Sequence, residues 1–199
     1  MTDQPPKYAR PSDAWLDEHA DLLRPGLTAL ELGCGTGDDT AELARIGIDV
    51  IALDRSLQQL RRTREQAPGV RLVRRDMRAG LPFDDGRFDL VVSSLSIHYF
   101  EWATTCRIAA EIARVLRPGG WLVCRVNRVG DVHFDYGVGR EIEPEFFEVR
   151  PGHTKRFFSE ETLREVLEAH FEVDSIAPRV SRRWGKEKQT IVARARKRA

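Results

Sequence analysis

Within the run ALELGCGTG a glutamate is followed by three alternating glycines, as Glu31-Leu32-Gly33-Cys34-Gly35-Thr36-Gly37. Gly33 and Gly35 let the backbone turn tightly and approach a ligand without a Cβ in the way. Helical spacing begins just beyond, so a helix N-terminus adds its positive dipole to the loop. The pattern predicts a polar or charged ligand held against main chain. It departs from the dinucleotide fingerprint GxGxxG, which needs glycine at position 38, where this chain has Asp38. Asp38 and Asp39 would repel a pyrophosphate, whereas the same carboxylates tolerate a cationic ligand group such as an ammonium or a sulfonium.

Two further acids end β-type runs. Asp54 closes DVIALD, 19 residues after Gly35, where a carboxylate can accept two hydrogen bonds from ribose hydroxyls. Asp76-Met77 ends the next run, VRLVRRD, and offers a carboxylate to an adenine amino group and an apolar side chain to its ring. Each acid also has a plain structural reading, Asp54 as a helix cap with Ser56 and Asp76 as a partner of Arg74 or Arg78. Taken together, at successive strand ends on one side of a sheet, they point to an adenosine-containing ligand.

Proton-transfer candidates cluster after the fourth run. His98 and Tyr99 lie just beyond FDLVVSS, where a base could serve an acceptor hydroxyl or amine; the alternative for His98 is a packed histidine near Glu101. His133, Tyr136 and His153 are weaker candidates. Cys34 reads as a small side chain chosen for fit rather than as a nucleophile. Cys34, Cys106 and Cys124 are odd in number and widely separated, so neither a disulfide framework nor a metal site is expected.

The elements that must position these residues alternate. Strands are predicted at 28–32, 49–54, 70–76, 88–94 and 121–127, with helices at 38–46, 56–66 and 101–116, the last stopped by Pro118-Gly119-Gly120. A helix capped by Ser12 or Asp13 precedes them and runs to about Leu23. Another, opened by Ser159, runs to about His170 and leads into FEVDSIA and TIVARA, a hairpin-like ending. Such alternation means an α/β fold with a mostly parallel sheet and helices on both faces. Residues 128–158 fit neither period, and so long an excursion in a small domain is more often functional than idle.

The strings ALELGCGTG, VIALD, RRDM, FDLVVSSLSIHYF and LRPGGWLVCRV jointly resemble class I S-adenosylmethionine-dependent methyltransferases, close to the small-molecule members and more distantly to tellurite-resistance-type members. The resemblance implies a Rossmann-like seven-stranded sheet whose last strand is antiparallel. It implies that Glu31, Gly33, Cys34 and Gly35 lie along the methionine part of S-adenosylmethionine. Asp54 would hold the ribose, Arg55 would flank the adenine, Asp76 and Met77 would bind its edge, and Ser94 and Leu95 would lie beside the methyl group. S-adenosylhomocysteine would be the product.

The 199 residues suit one domain: a helical cap over 1–27, a cofactor-binding core over 28–127, an acceptor lid over 128–158 and a C-terminal helix with edge strands over 159–199. The lid is expected to include Tyr8 and Trp15, and Glu141, Glu143 and Glu145 could select a cationic acceptor, although a solvated loop face is the plainer reading. With no long apolar run and no leader pattern, a cytoplasmic, membrane-free protein is expected. Net charge is +1, which disfavours nucleic acid as a partner despite a basic stretch from Arg179 to Arg198. The run SSLS after the fourth strand lacks the [DN]PP[YF] pattern of DNA amino methylation, and no Pro-Cys pair or double-glutamate loop marks cytosine or arginine methylation. A small-molecule acceptor is left. RNA methylation, cofactor binding without catalysis and NAD-linked oxidoreduction are the alternatives.

Overall fold

The structure, a computed structural model, describes residues 14–183 and 185–198. Among the described residues there are ten strands: β1 (Thr28–Leu32), β2 (Asp49–Asp54), β3 (Arg71–Arg74), β4 (Phe88–Ser94), β5 (Leu116–Asn127), β6 (Arg140–Glu143), β7 (Phe146–Arg150), β8 (His153–Arg156), β9 (Phe171–Arg183) and β10 (Lys186–Lys197). Four helices accompany them: α1 (Asp38–Ile46), α2 (Leu57–Gln66), α3 (Trp102–Val115) and α4 (Glu160–Glu168). Seven strands form one sheet in the order β3-β2-β1-β4-β5-β10-β9. β1 to β5 run parallel, and β10 lies antiparallel to both its neighbours. The antiparallel strand is thus last in the chain but interior to the sheet, with β9 at the edge.

Alternation along the strands explains the two faces. Leu30, Leu32, Ile51 and Leu53 point into one core with Ile108 and Ile112 of α3 and Leu163, Val166 and Leu167 of α4. Ala29, Val50 and Ala52 point the other way, against Leu43 of α1, Leu60 of α2 and Trp15. Burial on both faces requires the near-continuous apolar runs seen in TALEL and VIAL. Local signals set the helix ends: Ser56 Oγ accepts the Gln59 N–H at 3.3 Å to open α2, Ser159 and Thr162 form a reciprocal capping box on α4, and Gly47 closes α1 at φ 93°.

Three expectations need correction. Among the described residues no helix runs to Leu23; the chain there forms a 3₁₀ turn, Trp15–His19, entered through Ala14 at φ 51°. The expected caps Ser12 and Asp13 lie outside the described residues. β5 starts at Leu116, which pairs with Phe88, and Arg117–Gly120 bulge outward before Trp121 pairs with Leu90. Residues 128–158, read as irregular, contain an antiparallel three-stranded sheet, β6-β7-β8, turned at Glu145 (φ 59°) and Gly152 (φ 70°). Its strands are four or five residues long and rich in charge, too short for a period to show.

Candidate active site

The chain order reverses between β1 and β4, since β2 and β3 lie on one side of β1 and β4 and β5 on the other. A crevice at the C-terminal ends of strands is expected at such a point. The glycine loop leaves β1 there and is pinned to the end of β2: Gly33 and Cys34 both donate their N–H to the Leu53 carbonyl, at 2.8 and 3.0 Å.

The three glycines do different work. A Cβ on Gly33 would sit 2.5 Å from Ser96 Cβ, and one on Gly37 would sit 2.8 Å from the Thr63 Cα of α2. Both positions are therefore closed by neighbouring protein. Gly35, at φ 55°, has no atom within 4 Å of a built Cβ, so it presents bare backbone to open space. Its N–H donates to Asp54 Oδ2 at 3.1 Å, while the Ser56 N–H donates to Asp54 Oδ1 at 2.8 Å. Each Asp54 oxygen keeps a further acceptor site.

Glu31, at the end of β1, is almost fully buried and accepts a hydrogen bond from the Thr40 hydroxyl. Burial first, and then the charge of Asp39, push its carboxyl well above the usual carboxylate range, with Asp38 and Asp54 adding to the effect. Asp39 is held by the indole N–H of Trp15 at 3.0 Å, and Asp38 accepts from the Thr36 hydroxyl at 2.8 Å. Four acids thus surround the loop. Burial also pushes the Cys34 thiol far up, aided by Glu31, so this sulfur stays protonated; it lies 3.5 Å from Thr63 Oγ1.

Asp76 takes its plain structural partner. It forms an ion pair with Arg78 at 2.6 Å and accepts the Arg78 N–H at 3.0 Å, and these bonds hold its carboxyl below the usual range. Met77 reaches the loop, its Cε 3.5 Å from a Cβ built on Gly33. Arg55 is exposed beside Asp54. Ser94 accepts from Arg125 Nε at 2.7 Å, and Leu95 adopts φ 51°, its N–H bonded to the Arg125 carbonyl at 2.9 Å. Trp15 is fully buried beneath Arg125, which covers its ring at 4.7 Å. It belongs to the core and not to a lid, and Tyr8 lies outside the described residues.

His98 is buried, and Tyr99 is partly exposed with its ring centroid 4.3 Å from that of His98. The β8 strand is stitched to this turn. The His153 ring lies 5.7 Å from Tyr99, the Thr154 hydroxyl donates to the Tyr99 carbonyl at 2.8 Å, and Arg156 Nε donates to the Phe100 carbonyl at 3.2 Å. Burial, and then Arg150 and Lys155, lower the His153 pKa below its ordinary value. His133 is exposed. The three glutamates are structural: Glu143 pairs with Arg156 and accepts the Trp102 N–H at 2.9 Å, Glu145 accepts from Tyr136, and Glu141 accepts the Glu145 N–H. Sequence reasoning missed Ser96, Thr63 and Arg125; the first sits in the SSLS run, and the others carry no periodic signal.

Among the described residues no group of three His, Cys, Asp or Glu side chains is placed to hold a metal, and no helix is long and apolar enough to cross a membrane.

This sheet order with its glycine loop and strand-end acids defines a class I S-adenosylmethionine-dependent methyltransferase domain. Residues 29–120, a little under half of the chain, match the model of the methyltransferase domain family. It is 31% identical over 159 residues to a malonyl-[acyl-carrier protein] O-methyltransferase of Pseudescherichia vulneris, covering 76% of this chain and 59% of that one. An S-adenosylmethionine-dependent methyltransferase of Methanosarcina mazei superposes with a TM-score of 0.80 at 23% identity, over 91% of this chain and 97% of the other. A Burkholderia thailandensis 1,6-didemethyltoxoflavin-N1-methyltransferase, solved with 1,6-didemethyltoxoflavin and S-adenosylhomocysteine, superposes with a TM-score of 0.73 at 26% identity, over 96% and 78%. The chain spans about half the length of the curated relatives it matches. S-adenosylmethionine is the cofactor of the class, and the open backbone of Gly35 between Glu31 and Asp54 fits it.

Proposed function

We propose that this chain transfers a methyl group from S-adenosylmethionine to a small-molecule acceptor by in-line displacement. The observation that carries the reading is Gly35: bare backbone facing open space, flanked by a buried acid and a strand-end acid at the switch point of the sheet. Glu31, Gly33, Cys34 and Gly35 line the methionine part, and the surrounding acids complement its ammonium and sulfonium. Asp54 receives the ribose hydroxyls through its free acceptor sites, Arg55 flanks the adenine, and Asp76 and Met77 meet its edge. Asp76 can do so with the acceptor capacity that Arg78 leaves. Ser94 and Leu95 lie beside the methyl group.

The cofactor supplies a methyl group already activated on sulfur. What the protein must supply is alignment of the acceptor and exclusion of water. His98 and Tyr99 stand at the acceptor side as candidate bases, with residues 128–158 as the lid above them; the bonds from β8 to the 97–100 turn support that placement. Relatives named for methylation of a malonyl-acyl-carrier protein and of didemethyltoxoflavin support a small acceptor group without selecting its atom.

Two observations weigh against the alternatives. Asp38 and Asp39 occupy the first turn of α1, where a dinucleotide would place its pyrophosphate. Three residues of the basic C-terminal stretch are neutralised within the fold, as Arg179 pairs with Glu18, Arg194 with Asp21 and Asp174, and Lys188 with Asp131. The test is calorimetric titration of the wild type and Asp54→Ala with S-adenosylmethionine, S-adenosylhomocysteine and NADH, followed by a screen of small thiols, amines and carboxylates as acceptors. Binding of the first two, lost in the variant, supports the reading. Binding of NADH alone overturns it, and cofactor binding with no turnover across acceptor classes favours a noncatalytic role.

A further inference from the structure

At the opposite pole of the sheet, the bulge at Arg117–Gly120 and the end of the basic β10 meet in a cavity of about 220 Å³. Its walls include residues just before β1 and at the start of β4, so it lies about one strand length, roughly 16 Å for five residues, from the glycine loop. Three guanidinium groups line it, Arg24, Arg117 and Arg196, together with one carboxylate, Asp89.

The charge balance there is unusual for this protein. Its surface arginines commonly carry a carboxylate partner, as in Arg71 with Asp49, Arg140 with Glu148, Arg164 with Glu168 and Arg194 with Asp21. Among the described residues neither Arg24 nor Arg196 has one. Asp89 is already committed: one oxygen takes Arg117 Nε at 2.5 Å, and the other takes the N–H and hydroxyl of Thr28. Two positive charges from distant parts of the sequence therefore converge on one cavity without compensation. The bulge holds one of them in place, because Arg196 Nε donates to the Gly119 carbonyl at 3.2 Å. A Cβ on Gly119 would come within 3.1 Å of the Arg196 guanidinium. Glycine at this position keeps the guanidinium against the wall.

We propose that this cavity is a binding site for a phosphate monoester, separate from the methyl-transfer site. Planar guanidinium forks match phosphate oxygens, and unpaired arginines need no existing ion pair to be broken first. The cavity is smaller than the ~300–1,000 Å³ typical of drug-sized ligands, which fits a phosphate with a short organic part. Trp121 also lines the wall, its ring already faced by Arg194 at 5.0 Å and Arg196 at 6.0 Å, so its remaining edge is what an organic part would meet.

The test is titration of the full chain with inorganic phosphate and with glycerol 3-phosphate, read by the NMR signal of the Trp121 indole N–H and assigned with Trp121→Phe. The expected result is a saturable shift, with glycerol 3-phosphate at least threefold tighter than inorganic phosphate. Affinity should fall at least tenfold in Arg24→Ala/Arg196→Ala and measurably in Arg196→Lys, and should not change in Arg164→Ala. Circular dichroism confirms that each variant is folded, and Arg196→Lys keeps the test decisive if the double variant is not. No saturable shift, equal affinity for the two anions, or an equal loss in Arg164→Ala overturns the proposal.

Discussion

The backbone N–H of Gly35 and the Asp54 carboxylate are joined at 3.1 Å, so the ligand-facing glycine and the acid at the end of β2 form one unit. Removing the acid therefore releases the loop as well as a ligand contact. Asp54→Ala is expected to lower stability by about 1–3 kcal/mol, the usual cost of stranding partly buried donors. S-adenosylmethionine affinity should fall at least about tenfold, or ~1.4 kcal/mol. Asp54→Asn retains one acceptor oxygen and should recover part of the stability with less of the affinity. Thermal unfolding and calorimetry on both variants check this; unaltered affinity in Asp54→Ala would reduce Asp54 to a loop brace.

Gly33 and Gly35 separate packing from ligand binding. Gly33→Ala drives a methyl group into Ser96 at a positive φ, with a loss of about 2 kcal/mol or more expected from overpacking and backbone strain together. Gly35→Ala has room, so only the left-handed backbone penalty of about 1–2 kcal/mol applies. Its methyl group would occupy the space assigned to the cofactor. Denaturant melts should therefore rank Gly33→Ala as the less stable variant, while calorimetry should show Gly35→Ala folded and impaired in binding. A Gly35→Ala protein that binds like the wild type would remove the cofactor from that face.

How far these roles were legible depends on the kind of signal. The bounds of β1, β2, β4 and α1 were readable to the residue, because double-sided burial demands unbroken apolar runs and glycine marks where they turn. The places of Glu31 and Asp54 beside the loop were legible by position, and Asp54 also meets its plain structural partner, the Ser56 N–H at the start of α2. Asp76 was not resolved by position, since its two readings differ only in where the Arg78 side chain goes. The β6-β7-β8 sheet escaped because four-residue strands bearing Arg, Glu and Lys show no alternation, and its anchors come from residues distant in sequence. Trp15 was assigned to a lid because an aromatic residue near a terminus carries no mark of the core it enters; the bond to Asp39 is what decides.

Glu31 makes a prediction about pH. Its carboxyl is raised by burial and by Asp39, so between the unfolded value near 4.5 and the higher folded one the native state binds more protons than the unfolded chain. Stability contributed by this group is present at low pH and lost as pH rises through the folded pKa. Glu31→Gln should therefore stabilise the ligand-free protein above that window and flatten this part of its pH profile. A bound cation favours the ionised form, so S-adenosylmethionine binding to the wild type should release protons within the window, seen as a dependence of binding enthalpy on buffer ionisation enthalpy. The same dependence in Glu31→Gln would place the proton on another group.

A buried ion pair at the root of residues 128–158 ties that segment to β10. Lys188 of β10 and Asp131 are both almost fully buried and form an ion pair; Lys188 also donates to Asn127 Oδ1 at 2.7 Å and lies 4.6 Å over the Phe134 ring. Breaking one side leaves the other charge buried alone, at a cost of about 3–5 kcal/mol. Lys188→Met should show this loss in urea unfolding. Lys188→Met/Asp131→Asn should be less damaged than the sum of the single variants, because the amide still accepts the Gln189 N–H without carrying a charge. If the segment is a lid, the Lys188→Met variant below its melting point should bind S-adenosylmethionine normally and lose acceptor turnover. Additive single-variant effects would show that the pair is uncoupled, and a parallel loss of cofactor affinity would tie the segment to the glycine loop rather than to the acceptor.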